Sequence, residues 1–425
     1  MDKTPDSSPQ LKVTPRIIIH GGAGNITRHT ISKEQYTAYQ TSLRRILASA
    51  TDLLSQPGAT ALDVATHAVT MLENDSLYNS GKGAVFTREG KNELECSIMV
   101  SNGYRKRSIG CMLLQHVKNP IKLARELLMR GETDGGHGSQ DHCQYSGEFV
   151  ESLAEQWGLD IVDPSYFFVQ GRWDEHKRGL KEEGLARGNV NISDWEKENY
   201  IPLGTCGAVV LDSSGSICAA TSTGGLTNKV PGRIGDTPTT GAGFWAEEWH
   251  EAASRPNLQM IYKPSATTPL EHLSRGNIRS LAADCLPTFA VSSNTPGKSS
   301  LPEVPDVKAS SSIRHAVGLS GTGNGDSFIK LAAARTVASK ARFGRTSLSD
   351  ALPWMTGPGG ELQRSAGDRW RRTHEGTGGM IGIEVLGEQA TVVQDYNCGG
   401  MCRAWTEEDG EQKCLIFRED RYESG

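Results

Sequence analysis

Two groups of hydroxyl side chains lie near the ends of segment 204–225, which reads GTCGAVVLDSSGSICAATSTGG. Two apolar runs flank the turn sequence Asp-Ser-Ser-Gly, which is the pattern of a β-hairpin. If the turn is tight, paired positions sum to about 427 or 428, so that Thr205 lies opposite Ser222 or Thr223. Cross-strand pairs of hydroxyls are ordinary in sheets, and the hairpin by itself leaves a purely structural role open.

A threonine hydroxyl at a strand end could instead act as a nucleophile. The hydroxyl is weak and needs a nearby base, and a free α-amino group can be that base. An α-amino pKa of about 7.7–8.0 suits proton transfer near neutral pH. Because an internal Thr205 has no free amine, the Gly204–Thr205 bond would first have to be cut. Gly204 permits a strained backbone open to attack by the Thr205 hydroxyl.

Two further sequences have residues suited to binding charge. In PGRIGD, Arg233 and Asp236 suit the carboxylate and the ammonium of a zwitterion, because a planar guanidinium pairs well with a carboxylate. A solvated ion pair on a loop explains the same pattern. In GTGNGD, which begins at Gly321, a glycine-rich turn bares backbone N–H groups that could face a developing negative charge. It resembles a phosphate loop but lacks the lysine of that motif.

Mixed helices and strands must position these residues. Helical patterns cover 33–55, 119–130, 147–157, 327–341 and 347–354. A further helix begins near Thr60, which can cap its first turn. Apolar or alternating runs predict strands at 17–20, before the glycine turn GGAG, and at 84–87, 93–99, 316–320, 380–385 and 391–395. The order favours an α/β or α+β fold, and the pattern alone does not decide the topology.

Composition excludes several other functions. The chain has 425 residues and a formal net charge of −5, which gives no basic surface for nucleic acid or an anionic membrane. It has no apolar stretch of about 18 residues, so no membrane span is expected. Residues 1–16 are predicted to be a disordered arm without the apolar core of a secretory signal. The tracts at about 170–200 and 291–312 are polar and are predicted to be variable. Because tract 170–200 ends just before Thr205, its mobility would let the newly formed chain end move away from the Thr205 site after cleavage.

The cysteines point to a reducing compartment. Their number is nine, which is odd, and their spacing is scattered. Together with the missing signal, this predicts reduced thiols and a cytoplasmic location. Cys398 and Cys402 could be one half of a metal site, but no second pair with suitable spacing accompanies them.

The segment GTCGAVVLDSSGSICAATSTGGLTNKVPGRIGD resembles the signature of the isoaspartyl peptidase/L-asparaginase family, the plant-type asparaginases among the N-terminal nucleophile hydrolases. Other blocks agree in family order from residue 17 to about 405: IIIHGGAGNI, LYNSGKGAVFTREGKNELECSIM, NPIKLAR, LSGTGNGDSFIK, GTGGMIGIEV and GGMCRAW. The resemblance implies an α+β fold, a four-layer αββα sandwich. It also implies one domain over 17–425 that cleaves itself into an α subunit, 1–204, and a β subunit, 205–425.

The resemblance implies catalytic roles for residues of the hairpin and of the GTGNGD turn. Thr205 would be the nucleophile that is exposed by cleavage after Gly204. Thr223 matches a second threonine whose hydroxyl orients the first. Thr322 and Gly323 match the pair that stabilises the oxyanion.

Other residues match the family's substrate-binding set. Arg233 would bind the α-carboxylate, and Asp236 with the carbonyl of Gly325 would bind the α-ammonium. Asn79 matches an asparagine beside the nucleophile, although Asn-Ser-Gly is also turn chemistry. His20 attracts attention as an acid–base candidate, but its block is structural in the family.

The implied activity is hydrolysis of the β-amide of L-asparagine and of β-aspartyl dipeptides, with release of L-aspartate. No cofactor is required, and the partners would be a small-molecule substrate and a second self-cleaved protomer in a dimer. A structural sodium ion would be wrapped by the backbone carbonyls of one loop, namely those of Leu72, Glu73, Asp75, Tyr78, Ser80 and Lys82.

Three alternatives stay open. A threonine endopeptidase branch cuts proteins after aspartate, a lysosomal branch cleaves glycosylated asparagine, and an unprocessed scaffold would keep only the fold. The chain departs from the family where SIMDG is common, because Val100 and Ser101 replace the acidic residue and glycine. The long insertion between Trp249 and His315 could cover or narrow the site.

Overall fold

The structure is a computed structural model that describes residues 13–133, 142–186, 204–252, 312–418 and 422. The chain divides into two units, residues 1–250 with 314–425, and residues 251–313. The first unit carries the elements that position the site. In the second unit, the described residues are 251, 252, 312 and 313, which belong to strand ends. The predicted arm lies outside the described residues over 1–12, and so do 187–200 and 291–311 of the two polar tracts.

Twelve strands form two sheets in the described part of the chain. Their bounds are β1 Arg16–Gly24, β2 Leu94–Val100, β3 Arg107–Leu114, β4 Gln144–Ser146, β5 Cys206–Leu211, β6 Ile217–Thr223, β7 Phe244–Ala252, β8 Ser312–Gly323, β9 Gly378–Leu386, β10 Gln389–Tyr396, β11 Gly400–Thr406 and β12 Gln412–Leu415. One sheet has the order β12-β11-β1-β5-β6-β2-β3-β4, and the other has the order β10-β9-β8-β7. Strands β1, β5, β6 and β2 are thus central in the large sheet.

Nine helices complete the described fold. They are α1 Lys33–Leu54, α2 Ala61–Glu73, α3 Pro120–Thr133, α4 Glu148–Gln156, α5 Gln170–Ala186, α6 Gly325–Leu331, α7 Ala333–Gly344, α8 Leu348–Thr356 and α9 Glu361–Arg364. Ser32 begins α1 with a capping box, and the Thr60 side chain accepts a hydrogen bond from Asp63 N at the start of α2. None of the helices in the described ranges is long and apolar enough to cross a membrane.

The elements stack in four layers. Helices α1, α2 and α3 pack on one face of the large sheet, and its other face packs on the small sheet, which α8 covers. Neighbouring residues of β1 show why, because side chains alternate between the faces of a strand. Ile17 and Ile19 join the core below the helices, whereas Ile18 joins the core between the sheets. This is the αββα sandwich that the resemblance predicts.

Most predicted elements are present with small shifts of their ends. The hairpin pairs Cys206 with Ser222 and Gly207 with Thr221, so paired positions sum to 428. The first helix was expected over 33–55 and ends at Leu54. Tract 170–200 is helical in its first half, as α5.

Three predictions about local structure are wrong. Segment 84–87 is no strand, because β2 pairs with β3 and β6, and Phe86 bonds instead to a loop at Asn228. The predicted helix 327–341 is two helices, since Ala332 adopts a left-handed φ of 44°. The glycines of GGAG continue β1 through a bulge between His20 and Ala23.

The departure at Ser101 does not disturb the sheet. Ser101 N donates to the carbonyl of Ile217 at 2.9 Å, and Ile217 N donates to the Ser101 hydroxyl at 2.9 Å. The serine therefore satisfies both backbone groups at the start of β6.

Candidate active site

The Gly204–Thr205 bond lies against the end of β1. Gly22 has a φ of 113°, and a Cβ on it would lie 2.9 Å from Gly204 N and 3.0 Å from Gly204 O. A Cβ on Gly204 would lie 2.2 Å from Thr322 Oγ1. Thr322 Oγ1 in turn accepts a hydrogen bond from Ala23 N at 3.1 Å. The bond that is predicted to be cut is thus enclosed by glycine backbone on one side and by a buried hydroxyl on the other.

The Thr205 hydroxyl is buried and lies 3.3 Å from Thr237 Oγ1. Thr237 directly follows Asp236 in the chain, so this contact joins the predicted nucleophile to the PGRIGD segment. Continuing the hairpin register by one residue sets Thr205 opposite Thr223, and opposite residues project from the same face. The Thr223 hydroxyl accepts a hydrogen bond from Gly225 N at 3.0 Å.

Asn79 holds the glycines that follow β6. Its Nδ2 donates to the carbonyl of Gly225 at 2.8 Å, and its Oδ1 accepts from Val85 N at 3.1 Å. Its own carbonyl accepts from Gly224 N at 3.0 Å. The structure therefore places Asn79 beside the segment immediately after Thr223.

Arg233, Asp236 and Gly325 come together although the first and the last are 92 positions apart in the sequence. A Cβ on Gly325 would lie 2.5 Å from Asp236 Oδ1 and 3.1 Å from Arg233 Nη2. Gly325 begins α6 directly after Thr322, Gly323 and the capping residue Asn324. Gly323 has a φ of 143°, which only glycine adopts without strain. One turn thus brings the predicted oxyanion pair next to the predicted ammonium site.

The electrostatics of this site centre on a buried carboxylate. Burial, reinforced by the nearby Glu95, raises the pKa of Asp236 to about 7, and Arg233 partly opposes this rise. Asp236 Oδ2 is buried and makes no hydrogen bond within the described part of the chain. Such an oxygen is costly to bury unless a donor reaches it. The Arg233 guanidinium donates to Asp326 Oδ2 at 3.0 Å and keeps 15% of its side chain exposed.

His20 is a buried residue of β1 whose ring contacts the hydroxyl of Ser320. Its Nε2 lies 2.7 Å from Ser320 Oγ, which lies 3.1 Å from Thr221 Oγ1. Burial lowers the pKa of His20 to about 3, so the ring is neutral. A hydrogen bond with the Thr205 backbone partly opposes this shift, and the structural interpretation of the His20 block stays a prediction.

The loop with the six predicted sodium ligands is tightly curled. A Cβ on Gly81 would lie 2.3 Å from the carbonyl oxygen of Glu73, and one on Gly83 would lie 2.0 Å from that of Tyr78. Tyr78 N also donates to the carbonyl of Asp75 at 3.3 Å. The carbonyls of Leu72 and Ser80 likewise accept hydrogen bonds, from Asp75 N and Gly83 N, so three of the six predicted ligands already have donors, and ligation of a sodium ion by this loop stays a prediction. Within the described ranges, no three His, Cys, Asp or Glu residues form a metal-binding group.

Sequence reasoning missed four residues of the site. Thr237 contacts the predicted nucleophile Thr205, Asp326 pairs with Arg233, and two glutamates hold the PGRIGD segment. Glu93 accepts from Gly232 N at 3.0 Å, and Glu95 accepts from Gly235 N at 3.0 Å. Adjacency to Asp236 and Gly325 could have indicated Thr237 and Asp326. The glutamates gave no signal, because their partners lie about 140 residues away.

Comparison with known proteins agrees with this geometry. A family profile described as asparaginase matches residues 13–255. An isoaspartyl peptidase of Salmonella typhimurium is 30% identical over 95% of this chain and 98% of its own length. The isoaspartyl peptidase of Escherichia coli is 30% identical over 95% and 96%. A putative isoaspartyl peptidase/L-asparaginase of Dictyostelium discoideum is 38% identical over 55% of this chain and 70% of its own length.

The sandwich and the matches together define an N-terminal nucleophile hydrolase. Within that class, the chain belongs to the asparaginase family.

Proposed function

We propose that the protein is a self-processing threonine hydrolase that acts on L-asparagine and on β-aspartyl dipeptides and releases L-aspartate. Relatives named isoaspartyl peptidase and isoaspartyl peptidase/L-asparaginase support the substrate class. The contact that carries the proposal is Thr205 Oγ1 to Thr237 Oγ1, because it sets a candidate nucleophile next to a candidate amino-acid site.

Self-cleavage would begin with attack of Thr205 Oγ on the carbonyl carbon of Gly204. The C–N bond of the peptide breaks, the nitrogen takes up a proton, and Gly204 becomes an ester of the Thr205 hydroxyl. Breakage of the C–N bond thus frees the α-amine of Thr205, and water then hydrolyses the ester, which releases the carboxylate of Gly204 and restores the Thr205 hydroxyl. The contacts of Gly22 and Thr322 with Gly204 support this step, since they enclose the reacting carbonyl.

In the mature enzyme, that α-amine would take the proton from the Thr205 hydroxyl as the oxygen attacks the β-carbonyl of the substrate. Thr322 and Gly323 would stabilise the oxyanion. Ammonia or an amino acid leaves with the proton, and an aspartyl ester of Thr205 remains. Water hydrolyses this ester and releases L-aspartate.

Arg233 would bind the substrate α-carboxylate, in competition with Asp326. Asp236 and the carbonyl of Gly325 would bind the α-ammonium. The buried Asp236 Oδ2 supports this role, because an ammonium supplies the hydrogen-bond donor that the oxygen otherwise lacks. A raised pKa means that binding of the cation would also favour the ionised form of Asp236.

Asn79 and Thr223 would keep the nucleophile oriented through the backbone of Gly224 and Gly225. The carbonyls of the curled loop before Gly83 would hold a structural sodium ion, which would stiffen that loop. Pairing of two protomers and a cytoplasmic location are further parts of the proposal, carried over from the sequence.

The test is the intact mass and the activity of the Thr205→Ala variant. Wild type should yield fragments of 204 and 221 residues and hydrolyse both substrates, whereas the variant should stay whole and inactive. Thr37→Ala, an exposed threonine on α1, is the matched control and should behave as wild type. Splitting of Thr205→Ala at the same bond would overturn the cleavage mechanism. Cleaved wild type that hydrolyses neither substrate would overturn the activity.

A further inference from the structure

Helix α5 contacts the loop that leads from Thr223 to Arg233. His176 Nδ1 lies 2.5 Å from Asn228 Oδ1, and Asn228 Nδ2 donates to the carbonyl of His176 at 3.1 Å. Because an amide oxygen only accepts, Nδ1 of His176 is the donor. His176 is 5% exposed, so this reciprocal pair is an internal contact of the fold.

Helix α5 and the loop that contains Asn228 come close together at Gly179. A Cβ on Gly179 would lie 2.5 Å from Asn228 Nδ2. Real Cβ atoms do not come that near, so a side chain at this position would displace Asn228 or the helix. Asn228 itself adopts a left-handed φ of 59°, which asparagine tolerates better than most residues.

Segment 86–90 fills the space between helix and loop. The Phe86 ring meets Trp173 of α5 edge to face, with centroids 5.2 Å apart. The Phe86 carbonyl accepts from Asn228 N at 2.8 Å, and Arg88 N donates to the carbonyl of Lys229 at 3.0 Å. The helix therefore supports the loop both directly and through this segment.

The same loop continues, tightly held, to the candidate binding residues. Buried Lys229 donates to the carbonyl of Glu93 at 2.7 Å, and the Glu93 carboxylate accepts from Gly232 N. Arg233 N donates to the carbonyl of Val230 at 3.1 Å. Five residues of backbone, held by these hydrogen bonds, therefore join Asn228 to Arg233.

We propose that α5 is a positioning element for substrate binding, which acts through Asn228 on Arg233. This inference rests on the proposed function, in which Arg233 binds the α-carboxylate. Since α5 precedes the Gly204–Thr205 bond, it also follows that the helix stays docked on the β subunit after cleavage.

Two alanine variants on the same helix test the proposal in the full chain. Gly179→Ala inserts a methyl group against Asn228, whereas a Cβ on Gly171 has no atom within 4 Å. Gly171 lies in the first turn of α5 and Gly179 in its interior, so alanine should favour the helix at least as much at 179, and the contact with Asn228 is the unfavourable difference between the variants. Gly179→Ala should raise the KM for L-asparagine at least fivefold with kcat within twofold, and Gly171→Ala should leave both unchanged. Equal KM values for the two variants would overturn the proposal.

A second variant covers the case in which Gly179→Ala fails to fold. Asn228→Gly keeps the positive φ but deletes both hydrogen bonds to His176, and it should raise the KM in the same way. An unchanged KM for this variant would overturn the proposal as well.

Hydrogen exchange provides a readout that needs no substrate. The amides of Asn228, Gly232 and Gly235 should exchange faster in Asn228→Gly and Gly179→Ala than in Gly171→Ala. If wild type hydrolyses neither substrate, the proposed function fails, and exchange still decides whether α5 positions the loop. Unchanged exchange in these amides would contradict the positioning role.

Discussion

The hydroxyl oxygens of Thr205 and Thr237 lie 3.3 Å apart, and both side chains are buried. Thr205 immediately precedes β5, and Thr237 immediately follows the PGRIGD loop. The contact therefore joins two segments that are 32 residues apart in the sequence. It connects the predicted nucleophile to the predicted amino-acid site through a residue that the sequence did not single out.

Replacing Thr237 should slow the chemistry. Thr237→Val keeps the approximate shape of the side chain but removes the partner of the Thr205 hydroxyl. A neutral hydrogen bond contributes about 1 kcal/mol, so kcat should fall about fivefold or more. Steady-state kinetics with L-asparagine measures this, and Thr237→Ser, which keeps a hydroxyl, should retain most of the activity. A Thr237→Val enzyme with the kcat of Thr237→Ser would contradict the role.

A side chain at Gly22 should impair self-cleavage. Gly22→Ala forces a positive φ on alanine and pushes a methyl group against the backbone of Gly204. We expect processing at least tenfold slower, followed by intact mass over days. Gly103→Ala is the control, because Gly103 also has a positive φ, of 67°, but a Cβ there has no atom within 4 Å. Equal cleavage rates in the two variants would contradict a role for the contact between Gly22 and Gly204.

The pH dependence of the thermal stability should report the raised pKa of Asp236. A carboxyl whose folded pKa is about 7 and whose unfolded pKa is 3.8 stabilises the folded state most below pH 4. That stability is lost as the pH rises to about 7. In the uncleaved Thr205→Ala background, Asp236→Asn should therefore raise the Tm by a few degrees at pH 7.5 and change it little at pH 4.

Thermal unfolding at the two pH values measures this difference. Asp368→Asn serves as the control, because Asp368 keeps 88% of its side chain exposed and should show no pH-dependent effect. An Asp236→Asn variant with the same Tm shift at both pH values would contradict a raised pKa.

Much of the fold follows from local patterns. Short-range signals mark helices α1 and α2 and the hairpin, and the structure has these elements. The signals are the capping residues Ser32 and Thr60, the apolar stripes of the two helices and the turn at 212–215. Segment 84–87 reads as a strand but is none, because Val85 N and Thr87 N donate to nearby loop residues and the Phe86 carbonyl accepts from Asn228 N, 142 positions away. Local patterns carry no information about such partners.

For the site, the sequence by itself determined the kinds of groups: a threonine after glycine, an Arg–Asp pair and a glycine-rich turn. It also determined the hairpin register to within one residue, because turn length limits pairing. Only the tertiary structure decided that Thr237 meets Thr205, that Gly325 meets Asp236, and that α5 supports the Arg233 loop. Each of those contacts joins segments that are distant in the sequence. Their geometry depends on the packing of the whole fold, which no short stretch of chain encodes.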